Sequence, residues 1–329
     1  MVRVKCPIII PKTLRLSASW PGVYSGVVTF EFFRLRFHFE AVDSLGFPPG
    51  SASQTLRGAF GYALREIACR CGMERHCQDC AYARIFEPRH AATTGPSGFG
   101  ELPRPFVLRT RHLDEQVFAA GQPFWFDIHL FDLRHPSIEY FVPAFALLAD
   151  HGIRGRRAQL ISTEQLDTNG RIASVVWDGK QCSNLSAPAS VPLAAEKPDG
   201  DTVSVRFLTP TELKCDGGLA TRPEFSVLFA RIRDRISLLR TLYGSGPLEI
   251  DFHAAGERAA GIEMTRCEVE TRHMERRSSR TGHTHPLGGF TGQADYRGRL
   301  GEFLPYLKAA HWTGVGRQTV WGKGEIAIA

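Results

Sequence analysis

The chain has 329 residues, 43% of them hydrophobic and 22% charged, with a formal net charge of +6. That length exceeds a usual single core, so two domains are expected, and the apolar fraction is enough to fill both. The charge permits a nucleic-acid or membrane-surface partner without demanding either. No run of eighteen apolar residues occurs, and the start, Met1 to Pro11, is broken by proline; a cytoplasmic protein with no signal peptide and no membrane partner is expected. Eight cysteines with a single cluster argue against a disulfide scaffold in a chain this long.

The first regular element runs from about Val27 to Val42. Phe33, Leu35, Phe37 and Phe39 alternate with Arg34, Arg36, His38 and Glu40, the signature of a half-buried strand whose exposed face is basic and carries an imidazole. After a turn at Phe47 to Gly50, serines suited to an N-cap open an amphipathic helix over 51–68. Its apolar side carries Leu56, Phe60, Ala63, Leu64 and Ile67. Gly58 and Gly61 on it point to close packing of another segment.

Directly after the helix come Cys69, Cys71, Cys77 and Cys80. Four thiols this close can supply a closed tetrahedral site for structural zinc or a cluster, although the first pair is spaced more tightly than usual; reduced cysteines in a loop are the alternative. Residues 89–104 read as a surface loop. Strands follow at Phe106 to Arg111 and Pro123 to Leu133, then a helix opened by His135-Pro136-Ser137 and stopped near Gly152, then a hairpin over 157–178 around Asn169-Gly170. The order strand, helix, two strands, helix, strand is the ferredoxin-like unit. Residues 1–178 therefore read as one domain and 179–200, dense in Ser, Ala, Pro and Gly, as a linker.

Residues 201–329 repeat that order. A strand at Val203 to Leu213 precedes a long helix, Pro223 to Tyr243, with Phe225, Leu228, Phe229, Ile232, Ile236 and Leu239 on its core side and Arg231, Arg233, Arg235 and Arg240 off it. Strands are expected near Ile262 to Arg272 and Gly289 to Tyr296, a helix over Leu300 to His311, and a final glycine-rich strand. Between the two strands, Arg272 to Pro286 forms the most basic loop of the chain. The last stretch, Gly314 to Gly324, holds four glycines with Arg317 and Lys323 between them. Such backbone approaches a ligand closely and carries positive charge, so a polyanion suits it. A nucleotide-binding loop is excluded, because too few residues follow Gly324 to open a helix; a bent strand or turn held for packing reasons is the plain alternative.

Taken in order, Leu56 to Gly61, the cysteine cluster running into Tyr82 to Glu87, Leu208-Thr209-Pro210, Arg276 to Arg280, Leu287 to Gly292 and the terminal glycine-rich segment resemble the CRISPR-associated endoribonucleases that process precursor CRISPR RNA, of the repeat-associated mysterious protein superfamily. The resemblance covers nearly the whole chain. It implies an α+β fold of two tandem ferredoxin-like (βαββαβ, RRM-like) domains with a glycine-rich C-terminal loop touching RNA. It also implies CRISPR repeat RNA as partner, with other CRISPR effector subunits as further candidates. The implied reaction cuts within each repeat without a catalytic cofactor: a ribose 2'-hydroxyl attacks the adjacent phosphate, leaving a 2',3'-cyclic phosphate and a 5'-hydroxyl.

Such chemistry needs a proton acceptor, a proton donor and cations around phosphorus, work suited to histidine and arginine. In related enzymes the histidine comes from the loop after the first strand or from the first helix, and here both lack one. The catalytic candidates are therefore His38 on the first strand and His283 and His285 on the basic loop. The RNA-contacting candidates are Arg34, Arg36, Arg57, Arg276, Arg277, Arg280, Gly314, Gly316, Arg317, Gly322, Lys323 and Gly324. A non-catalytic repeat-RNA-binding subunit on the same scaffold is the rival reading. A metal-dependent enzyme using the cysteines is a weaker third, which closed four-thiolate coordination would exclude.

Overall fold

A computed structural model describes residues 27–69, 80–88, 102–197, 200–215, 217–272, 275–277, 284–286 and 288–329. The described chain divides into two compact units, one of Glu31 to Ala189 and one of Ser190 to Ala329 that also takes residues 27–30. The division falls inside the stretch read as a linker, and part of that stretch, Ala189–Pro192, is a short strand, β6 in chain order.

In the first unit the alternating stretch forms β1, Thr29–Ala41, followed by α1, Ala52–Ala68, and a short helix α2, Ala81–Phe86. Two strands, β2 (Phe106–Arg109) and β3 (Pro123–Leu130), lead to α3 (Ile138–His151) and the hairpin of β4 (Ala158–Leu166) and β5 (Ile172–Trp177). The sheet order is β2-β3-β1-β4-β5, with the pairings antiparallel. Period-two alternation puts Phe33, Leu35, Phe37 and Phe39 into the core and leaves Arg34, Arg36 and His38 half-buried on the other face. The core is aromatic: Phe145 of α3 stacks on Phe60 of α1 with ring centroids 4.5 Å apart and tilts against Phe37 at 4.7 Å.

The N-terminus of α1 departs from expectation. Ser51 makes no side-chain cap; instead Asp114, from the turn beyond β2, accepts the Ala52 N–H at 2.9 Å. Of the two helix glycines, Gly61 is the one required for packing, since a Cβ there would sit 2.4 Å from the Phe86 ring, whereas Gly58 has open space.

In the second unit β7 (Thr202–Thr211) precedes α4 (Phe225–Tyr243) and a further helix α5 (Phe252–Ala260), whose Asp251 cap accepts from Ala254 N–H at 2.9 Å. Next come β8 (Glu263–Arg272), two short strands β9 (Glu275–Arg277) and β10 (Thr284–Pro286), then β11 (Gly289–Arg297), α6 (Leu304–Thr313) and β12 (Ile326–Ile328). The main sheet runs β8-β11-β7-β12, again antiparallel. Counting the strands of each main sheet in chain order, each unit thus places its first strand between its third and its fourth. The stretch read as a basic loop contains an antiparallel pair that carries the β8–β11 hairpin onward, with Arg276 opposite His285.

Two readings of this half are corrected. Arg233, Arg235 and Arg240, read as lying off the core side, are buried: Arg233 donates to the Phe252 carbonyl at 2.6 Å, Arg235 to Thr313 at 3.1 Å and Arg240 to Gly246 at 3.1 Å and to Thr29. A guanidinium can satisfy several carbonyls at once, so these long side chains pin the ends of neighbouring elements to α4. The glycine-rich stretch is not a strand either. It is a loop with one tight turn at Thr319–Trp321, and only Ile326–Ile328 pairs with β7.

Candidate nucleic-acid interface

The open face of the first sheet gathers the candidates of β1. Antiparallel register sets Arg36 beside Asp127 and His38 beside Trp125 on β3, and Arg36 beside Glu164 on β4. Asp127, buried at 4% exposure, accepts from both arginines: Arg36 at 2.7 and 3.1 Å, and Arg34 at 3.0 and 2.9 Å. Arg34 also donates to the Asp167 carbonyl at 3.4 Å. The basic face expected from the sequence is therefore largely neutralised within the protein, because a buried carboxylate must be paired.

His38 stands at the edge of that network. Its Nε2 lies 2.9 Å from Glu164 Oε2, with both side chains partly exposed. The β1–β4 register slips between His38 and Phe39, a bulge that locally re-aims side chains of the strand. Beside it, the Arg36 guanidinium lies 3.6 Å from the Trp125 ring centroid.

Arg57 is a correction. It is buried on α1 with its guanidinium over the Phe86 ring, 4.5 Å from the centroid. It belongs to the α1–α2 packing and offers no surface to a phosphate. His283 and Arg280 lie outside the described residues, as do Cys71 and Cys77. Arg276, Arg277 and His285 are placed only as backbone positions of β9 and β10. Cys69 and Cys80 end α1 and begin α2, flanking the segment between them. Among the described residues no cluster of three or more metal-ligating side chains occurs.

In the second unit the glycine-rich loop is bound to the end of β7. Val315 N–H donates to Gly324 O at 2.9 Å, Gly324 N–H to Pro210 O at 3.1 Å and Arg317 N–H to Glu212 O at 3.1 Å. Gly314, Gly316, Gly322 and Gly324 all have positive φ. A Cβ at Gly316 would lie 2.1 Å from the Glu212 carbonyl oxygen, and one at Gly324 would lie 1.9 Å from that of Val315. At those two positions the close approach is the protein's own backbone.

Lys323, expected to meet phosphate, is instead buried, its Nζ 3.0 Å from Glu212 Oε1 and 3.0 Å from Gln318 Oε1. Burial pushes its pKa below the ordinary lysine range, against the opposing pull of Glu212. Arg317 shares the same carboxylate at 3.4 Å and is 47% exposed, so it is the cation this loop presents to solvent.

Sequence reading missed Asp127, Trp125, Glu164, Glu212 and Gln318. Asp127 and Trp125 do alternate with Phe124, Phe126 and Ile128 along an expected strand, which marks their face; only the pairing register shows what they touch.

Comparison with known proteins bears on both halves. A family model described as an N-terminal domain matches residues 30–189, and the model of the CRISPR-associated endoribonuclease Cas6 matches residues 205–326. Among solved structures, the chain is similar to a Thermus thermophilus Cas6 product complex, with 16% identity and a TM-score of 0.52 over 91% of this chain and 100% of that one. It is also similar to a chain of a partial Cas6-RT-Cas1–Cas2 complex, with 13% identity and a TM-score of 0.55, covering 91% of this chain and 46% of the other. No curated protein sequence matches. At these identities the structural likeness speaks for the fold, a mixed α+β arrangement of antiparallel sheets. Among the described residues no helix is long and apolar enough to cross a membrane. The resemblance drawn from the sequence agrees with the family comparison over the second half of the chain, where residues 205–326 match the model of the CRISPR-associated endoribonuclease Cas6.

Proposed function

We propose that the chain is a metal-independent endoribonuclease that cuts CRISPR repeat RNA, built on two tandem ferredoxin-like units and using His38 for proton transfer. The strand orders β2-β3-β1-β4 and β8-β11-β7-β12, with a helix after the first and third strand of each set, support the tandem fold. The observation that carries the catalytic part is the 2.9 Å contact of His38 Nε2 with Glu164 Oε2. A carboxylate accepts the Nε2 proton and fixes the ring, which leaves Nδ1 as the acceptor for a ribose 2'-hydroxyl proton. The 2'-oxygen then bonds to the adjacent phosphorus, the P–O5' bond breaks, and the departing 5'-oxygen takes up a proton. Arg36, one position along the same face of β1, supplies positive charge beside the reacting phosphate while anchored on Asp127.

Arg317 and the basic hairpin of β9 and β10 contact phosphates elsewhere on the RNA in this reading. Other CRISPR proteins are candidate partners, in keeping with the neighbour solved as a Cas6-RT-Cas1–Cas2 complex. The test is cleavage of repeat RNA with a chelator present. Cutting is expected to survive chelation, to vanish with a 2'-deoxy substitution at the scissile nucleotide, and to slow by about two to four orders of magnitude in His38→Ala with RNA affinity nearly kept. RNA bound but never cut by the unaltered protein would instead support the non-catalytic repeat-binding subunit, a reading that the engagement of Arg34 and Arg36 by Asp127 favours. Cutting at full rate in His38→Ala would move the proton carrier elsewhere.

A further inference from the structure

Trp125 stands on the open face of the first sheet between two groups that arrive from opposite sides. Arg36 comes from β1, on one flank of β3, with its guanidinium 3.6 Å from the indole centroid. His112 comes from the tight turn Arg111–Leu113 just after β2, on the other flank, with its ring 4.1 Å from the indole and 28° from parallel. The result is a three-layer stack of guanidinium, indole and imidazole. Its outermost layer is held in place, because His112 Nε2 lies 2.8 Å from the Trp125 backbone oxygen, yet His112 is exposed. Trp125 is the register partner of His38, so the stack adjoins the His38–Glu164 pair.

We infer that the solvent-facing ring of His112 is a stacking platform for one unpaired nucleobase of the RNA, seated next to the nucleotide whose 2'-hydroxyl meets His38. A flat ring presented to solvent, with its other face covered by an indole, has no buried apolar contact to make within the protein. What it offers is a π-face at fixed height above a sheet, which any base can cover. The Arg36 layer beneath it ties the platform to the carboxylate network of Asp127, so base stacking and phosphate positioning share one rigid support. The partner is a single-stranded or flipped-out base, because a base held in a duplex has both faces occupied.

This inference rests on the RNA-cleaving reading of the same face, and the experiment separates the two. Repeat RNA carrying 2-aminopurine at one position at a time, with a 2'-deoxy scissile nucleotide to prevent cutting, is titrated with the protein in chelator. One position is expected to lose fluorescence on binding to the unaltered chain and to His112→Phe, and to regain it with His112→Ala. His112→Ala is expected to weaken RNA binding about tenfold, and His112→Phe to stay within about twofold of the parent, because stacking needs the ring face and not the imidazole nitrogens. If the 2'-deoxy RNA is bound and its all-ribose counterpart is cleaved normally but no position responds to His112→Ala, the platform is wrong and the nuclease reading stands. If the unaltered protein neither binds nor cuts the RNA, both fall.

Discussion

Removal of the Glu212 carboxylate exposes what holds the glycine-rich loop. Lys323 and Glu212 are 4% and 7% exposed at their side chains and meet at 3.0 Å, and Gln318 also accepts from the ammonium at 3.0 Å. Glu212→Gln keeps the shape but leaves a buried ammonium beside two neutral amides and unties Arg317. Breaking a buried pair on one side costs about 3–5 kcal/mol, because the remaining charge has neither water nor a counter-ion. For a domain of this size that lowers Tm by roughly 10 °C or more. Lys323 also titrates at lower pH in this variant, since desolvation already holds it down and Glu212 was the opposing influence. A base with a depressed folded pKa binds fewer protons folded than unfolded between the two pKa values, so stability of Glu212→Gln should rise with pH across that window. The double variant Glu212→Gln with Lys323→Met removes both charges and should recover most of the loss. Urea unfolding followed by tryptophan emission, with Trp312 beside the loop and Trp321 within it, reads the unaltered chain, Glu212→Gln, Lys323→Met and the double variant. A double variant as unstable as the sum of its single parents would refute the buried-pair account.

Arg276→Ala, Arg277→Ala, Arg280→Ala and Arg317→Ala should each weaken RNA binding and flatten its salt dependence by somewhat less than one in the log–log slope, whereas Lys323→Met should change stability more than the salt slope. Filter binding across a salt series checks this. The purified protein should carry about one zinc per chain, with Cys77→Ser or Cys80→Ser destabilising the first unit; metal analysis of protein prepared under reducing conditions is the measurement. Gly324→Ala should cost more than about 2 kcal/mol, since φ is +69° and the new Cβ meets the Val315 oxygen at 1.9 Å, while Gly58→Ala on α1 should be neutral or slightly stabilising in thermal unfolding.

The elements most legible in the sequence were those whose pattern depends on one interface. β1 alternates cleanly because one face of it meets an aromatic core, and α4 shows its stripe because one side packs. Arginine resists such reading. Arg231 to Arg240 were expected off the core, yet three of these long side chains turn inward to backbone carbonyls of neighbouring segments, and nothing in helical spacing distinguishes a stapling guanidinium from a solvated one. The glycine loop was legible as backbone needing left-handed φ, but its cause was not. That cause is a packing contact between residues far apart in sequence, Gly316 on Glu212.

The same limit governs the candidate site, where charge read along one strand misleads until its neighbours are known. Arg34, Arg36 and His38 suggest a strip for binding phosphate, but β3 brings Asp127 and β4 brings Glu164. Arg34 and Arg36 then face Asp127 and His38 faces Glu164, so most of the positive charge of this strip is balanced within the sheet. Strong phosphate attraction therefore cannot come from this face alone. In the proposed reading it falls to exposed cations of the second unit, Arg317 among them, while the first unit offers groups fixed in orientation. A reaction run by proton transfer benefits from that arrangement. An imidazole locked by Glu164 and a guanidinium locked by Asp127 need no rearrangement as charge develops on phosphorus, whereas a loose cluster of cations would have to reorganise at each turnover.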